Sequence, residues 1–260
     1  MATAATDSDG TPPQPAPPAP AARQRRDVRW WRRPWIAPLA LATLVFLAFS
    51  VPRYLSLDPR QAAAYGDAPA WSLGWYYPLL VTHIFAGALV MLAVCLQVWP
   101  WLRRNHPAVH RWNGRLYAGL GLAAVGIPSV PLAVLSTSGP ATAVSTVLWS
   151  LLWIACTALG WRAARRRNFA AHRAWMVRSF ALIFAIATDR VWIVVYAVTV
   201  GPLVDQAGSL GEDGAVMVMA ATASWFSWVV NLLIAEWWLQ YRRPPRSRPG
   251  AERRPAPAAG

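Results

Sequence analysis

Apolar residues run in six long blocks along this chain, at 35–51, 76–101, 112–135, 141–161, 174–200 and 215–240, with polar stretches between them. At about 1.5 Å of rise per residue, a helix of roughly 20 such residues crosses a hydrocarbon layer about 30 Å thick. A backbone exposed to lipid must satisfy its own hydrogen bonds, and blocks of this length do so as helices. Trp and Tyr recur at the block ends, where amphipathic rings settle at a membrane interface. The pattern therefore predicts an all-α fold, a six-helix transmembrane bundle over residues 34–241. Pro34 and Pro38 fall at the start of the first block, where the missing N–H costs no hydrogen bond. Pro128 and Pro131, following Gly119, Gly121 and Gly126, predict a bend in the third helix and close packing against it.

Composition supports this division. The chain is 56% hydrophobic and only 14% charged, whereas a soluble domain is about 45–50% apolar and about 25% charged. A formal net charge of +14, carried by 25 Arg and no Lys, would suit nucleic acid if it formed a patch. Its placement argues otherwise. Six Arg precede the first block, four surround the second connection, six surround the fourth, and six follow the last block. The first connection has only Arg53 and Arg60, the third has no charge, and the fifth has Asp205, Glu212 and Asp213. Under the positive-inside rule this places both termini on the cytoplasmic side of a membrane, with no role for nucleic acid.

The tails differ from the bundle. Residues 1–33 are Pro/Ala-rich and basic, and 242–260 alternate Arg with Pro, so both are expected to be disordered. Their Arg clusters would meet anionic lipid headgroups or serve only to set topology. Protein partners cannot be named from such material. Ala48-Phe49-Ser50 imitates a signal cleavage site, but more than thirty residues precede the long apolar run, which favours a retained span. Cys95 and Cys156 lie inside blocks, as small apolar residues do.

The second and fourth connections resemble each other. Trp101, Asn105, His110 and Arg115 find counterparts in Trp161, Asn168, His172 and Arg178 at offsets of 60, 63, 62 and 63, and Cys95 in Cys156 at 61. This predicts a central pair of related helical hairpins with an axis along the membrane normal. Asn105 and Asn168 are expected N-caps, which would place His110 and His172 in the first turns of the third and fifth helices.

His83 with Gly87, Gln97, the block His110-Arg-Trp-Asn-Gly-Arg-Leu-Tyr117, the block His172-Arg-Ala-Trp-Met-Val-Arg178, Arg190, Asn231 and Glu236 carry a resemblance. The chain resembles a bacterial predicted-membrane-protein family, domain of unknown function 2306, from about the second block to the sixth. The resemblance implies a multi-pass membrane protein and no particular activity.

The four histidines invite comparison with membrane cytochromes that hold two haems. Paired ligands must share a depth, and His83 lies towards the outer side while His106, His110 and His172 lie towards the inner. A two-haem scheme fails. One b-type haem between His110 and His172 remains open, with Gly114 giving room and Arg115 or Arg178 meeting propionates. Another anionic ligand on the surface of Arg111, Arg115, Arg173 and Arg178 is also open, and the plainer reading is an interfacial role in which both histidines orient helix ends and lipid phosphates. No His-Glu-x-x-His motif points to zinc.

Asp189 and Arg190 are ionisable groups within the fifth block, and intramembrane charge suggests a substrate or proton site unless it serves as interhelical glue. Neighbours on a helix point about 100° apart, so each is expected to need another partner, His83 being one for Asp189. Glu236 is expected to pair with an Arg such as Arg115 or Arg178. Trp225 and Trp228 share a face that would line a flat ligand or simply pack. There is no nucleophile elbow and no P-loop, which argues against hydrolysis by nucleophile and base and against an ATP-driven pump, and leans away from an enzyme. Three readings stay open: a small-ligand or proton-coupled protein using His83, Asp189 and Arg190; a haem electron-transfer protein; and a structural or assembly protein.

Overall fold

A computed structural model describes residues 35–60, 73–203 and 211–241; the proposed N-terminal and C-terminal tails lie outside them. Six helical stretches are long and apolar enough to cross a membrane, and no strand occurs among the described residues. The first span is α1 (Ile36–Ser50), extended by a 3-10 turn at Pro52–Tyr54. The second is α2 (Tyr76–Val98), followed by the short α3 (Pro100–Asn105). The third comprises α4 (Pro107–Leu120), a π-helical turn (Gly121–Gly126) and α5 (Ile127–Val134). Then come α6 (Pro140–Arg165), α7 (Phe169–Thr199) and α8 (Glu212–Tyr241).

Proline accounts for two departures from the expected bounds. The second helix stops at Val98 and does not reach 101, because Trp99 precedes Pro100 and is extended, at φ −74° and ψ 110°, as a residue before proline prefers. The third span begins at Pro107, five residues earlier than its apolar run, since proline fits the first turn. Asn105 closes α3 and caps nothing, and His106 holds the N-cap position of α4. Asn168 does cap α7, its side chain accepting from the Ala171 N–H at 3.1 Å. The third span carries a widened, π-helical turn at Gly121–Gly126, directly ahead of Pro128 and Pro131.

α7 packs between α6 and α8, the third span packs against α2 and α6, and α1 leans chiefly on α2. The core runs through Val90 and Met91 of α2, Tyr117 of α4, Val125 of the π turn, Trp153 and Cys156 of α6, and Leu182 and Ile183 of α7. Both cysteines are free thiols, and Cys95 contacts the Thr43 hydroxyl at 3.2 Å, which ties α1 to α2. Elsewhere α1 turns Leu41, Leu44, Val45 and Phe49 outward, as a lipid-facing span does.

With lipid as the alternative environment, helix association depends on close packing more than on hydrophobic burial. Gly126 shows how close. A Cβ there would lie 2.7 Å from Ile154 Cγ1 and 3.2 Å from Trp153 Cζ3, whereas one at Gly87 would meet no atom within 4 Å. Gly126→Val should therefore lower the thermal unfolding midpoint in detergent, at a cost of about 1–3 kcal/mol. Gly87→Ala should leave the midpoint unchanged or slightly raised.

Candidate functional site

Arg103, Arg104, Arg111, Arg115, Arg162, Arg165, Arg166, Arg167, Arg173 and Arg178 flank the α2–α4 and α6–α7 connections, and that end of the bundle is called the basic end below. Asp58, Asp189 and Asp213 belong to the opposite end. The anticipated polar residues separate into groups at these two ends.

At the opposite end, His83 and Asp189 do not pair with each other. The His83 Nδ1 lies 3.1 Å from the carbonyl oxygen of Val125 in the π turn. A carbonyl can only accept, so Nδ1 carries the hydrogen and donates. Asp189 instead accepts from its neighbour, Arg190 Nη1 lying 3.2 Å from Asp189 Oδ2. The expectation that adjacent residues could not neutralise each other is overturned. The 100° between their Cβ directions is spanned by the long arginine side chain, which is 55% exposed against 22% for the aspartate. A hollow of about 290 Å³ between Thr137, Ser138, Asp213, Val216, Met217 and Ala220 includes none of these three residues in its wall.

The basic end is more tightly organised. The Nδ1 of His172 is 2.9 Å from the carbonyl oxygen of Gly160 on α6, so this nitrogen donates and the Nε2 lone pair is left for another partner. The Nδ1 of His110 is buried without a hydrogen-bond partner. Both histidines stand in the first turns of their helices at this end, α4 and α7. Gln97 donates to the His110 carbonyl at 2.9 Å, and Asn113 donates to the Ala93 carbonyl at 2.7 Å, which locks α4 onto α2. Gly114 serves that contact. A Cβ there would sit 3.0 Å from Gln97 Nε2, so its space is taken by Gln97, contrary to the expectation that it would admit a flat ring.

Glu236 of α8 meets Arg178 of α7 through two parallel bonds, Nε to Oε1 and Nη2 to Oε2, the latter at 2.9 Å. The Arg178 guanidinium also lies 4.9 Å from the Trp175 ring centre. Arg173 stacks over Trp238 at 5.3 Å, and Arg115 over Trp112 at 4.6 Å. Arg111 and Arg115 are exposed, as is His106, whose ring packs against Trp101.

Above the two histidines lies a buried group that sequence reasoning did not foresee. The Tyr117 hydroxyl is 2.7 Å from Ser179 Oγ and accepts from Trp153 Nε1 at 3.0 Å, while Thr157 Oγ1 is 2.7 Å from the same Ser179 Oγ. Tyr117 and Ser179 are 62 residues apart, the same offset as His110 and His172, as equivalent positions would be where two parallel repeats meet. The shared offset was the available signal. Ser and Thr are too common in membrane helices to attract notice singly. Similarly, Trp228 donates to Ser145 Oγ at 3.0 Å and Asn231 to Thr188 Oγ1 at 3.1 Å, so Trp228 is occupied in packing α8 against α6.

Comparison with known proteins fits this arrangement. Residues 80–239 match the model of a family described as a predicted membrane protein, DUF2306. The chain belongs to this family. The match begins inside α2 and ends inside α8, and so contains both histidine-bearing hairpins. No curated protein and no solved structure matches the chain. In this DUF2306 protein the Arg178–Glu236 pair can be tested directly. Arg178→Gln and Glu236→Gln should each destabilise the detergent-solubilised protein by about 1–3 kcal/mol. The double variant should lose less than the sum, read as a positive coupling in a double-mutant cycle of unfolding midpoints.

Proposed function

We propose that this protein binds a small acidic ligand at its basic end, between the starts of α4 and α7, with His110 and His172 as the recognising pair. The observation that carries this reading is the state of the two imidazoles. One has a buried ring nitrogen with no partner, the other is oriented by a backbone carbonyl so that its remaining nitrogen is uncommitted, and both stand in the first turns of helices that begin at the basic end. An unpaired buried polar atom is costly, of the order of 1–3 kcal/mol, and a bound ligand would relieve that cost. The concentration of arginines at this end favours an acidic one. The Arg-rich end faces the cytoplasm on this reading, in keeping with the positive-inside rule. The group at His83 is then a packing device, and Asp189 with Arg190 a self-neutralised pair.

A b-type haem between the same histidines is the second reading. It is favoured by the Nδ1-to-carbonyl bond of His172, since imidazoles that ligate metal typically donate their other nitrogen in this way. The surroundings favour it less. Arg178 is engaged by Glu236 and the space at Gly114 by Gln97, leaving neither for propionates or a macrocycle edge.

Purified protein in detergent, titrated with inorganic phosphate, succinate and citrate, tests both. The expected result is a rise in thermal midpoint with at least one of these anions, lost in His110→Ala and His172→Ala but kept in His106→Ala. Absence of any rise, or a rise that survives both substitutions, would refute the acidic-ligand reading. A reducible Soret band that disappears in the same two variants would establish the haem instead.

A further inference from the structure

The basic end carries the same local clamp twice. Trp112 and Arg115 on α4, and Trp175 and Arg178 on α7, are each a Trp-x-x-Arg sequence. In each the guanidinium lies over its own indole, at 4.6 and 4.9 Å. The α7 clamp faces α8 and closes on the Glu236 carboxylate. The α4 clamp is turned outward, with Trp112 68% exposed and the exposed apolar side chains of Val109 and Leu116 beside it. The difference follows from register. The histidines repeat at an offset of 62 but the clamps at 63, and one residue turns a helix by about 100°. Among the described residues no carboxylate is bonded to Arg115. Arg111, four residues earlier and also exposed, falls on the same face.

We propose that Arg111, Trp112 and Arg115 form a binding site for the phosphate of an anionic membrane lipid. The internal clamp shows that this pairing of indole and guanidinium holds an acidic group through two parallel bonds. On the lipid-facing side a phosphodiester supplies the same acceptor geometry, which a guanidinium fork matches. Arg115 lies eight residues beyond Pro107, about 12 Å along the helix axis. Its stem is long enough to run back towards the headgroup layer, while Trp112 occupies the level where indoles concentrate. This site is on the outer face of α4 and does not rest on the ligand reading for His110 and His172.

The test uses the full chain in nanodiscs of dioleoylphosphatidylglycerol and dioleoylphosphatidylcholine in equal parts, with lipids retained on detergent release counted by native mass spectrometry. Wild type should keep phosphatidylglycerol in preference to phosphatidylcholine. Arg115→Gln should reduce that preference about fivefold with its thermal midpoint unchanged, and Trp112→Leu should reduce it less. Arg162→Gln, an exposed arginine at the same end, should leave it intact. Equal retention of the two lipids by wild type, or the same loss in Arg115→Gln and Arg162→Gln, overturns the proposal. So does displacement of the lipid by soluble glycerol phosphate, which would assign the site to a free phosphate compound. Dissociation of a dimer by Arg115→Gln with lipid retention unchanged would give the clamp to a carboxylate of a second copy.

Discussion

A hydrocarbon solvent offers no hydrogen bonds, so each polar side chain inside the bundle must find its partner on another helix or on its own backbone. Most of the interhelical geometry follows from this constraint. Tyr117, Trp153, Thr157 and Ser179 satisfy one another at the centre. Trp149 reaches the Leu182 carbonyl at 2.6 Å, Asn113 that of Ala93 and Asn231 that of Ala181. Each link is modest in energy, but each is directional, and together they set the rotation of the helices about their axes. Small residues then allow the approach that the links require, as Gly126 does beneath Ile154 and Trp153.

The same constraint singles out what is left over. Among the described residues the Thr142 and Tyr196 hydroxyls and the Nδ1 of His110 are buried without a hydrogen-bond partner, and of these only His110 shares its end of the bundle with a second imidazole, that of His172, whose orientation is fixed by Gly160. Specific chemistry is best sought where the matching is incomplete. His83 fails that criterion because the π turn hands it a carbonyl, and Asp189 fails it because Arg190 answers it directly.

Architecture was legible in the amino-acid order because it depends on long-run averages. Twenty or so apolar residues between polar ends read as a span whatever their neighbours, and all six did. Boundaries were less legible where backbone chemistry outweighs hydropathy, as at Trp99 and Pro107. Pairing was legible where one partner was rare. Glu236 is an acidic residue within a span among many arginines, and of the two partners expected for it, Arg115 and Arg178, it meets Arg178. Ser179 and Thr157 had no such distinction, and their bonds to the centre depend on helix rotation, which no single span encodes. The pairing of Asp189 with Arg190 was misread because Cβ directions were considered and side-chain length was not.

The contact of Tyr117 with Ser179 has a bearing on how anything could move through the bundle. It lies seven residues beyond each histidine, about 10 Å further in, and Trp153 and Thr157 are bonded to it. All four side chains are 0–1% exposed, so the interior between α4, α6 and α7 is filled at this level. Passage across it would require at least one of these hydrogen bonds to break and its ring or hydroxyl to turn aside.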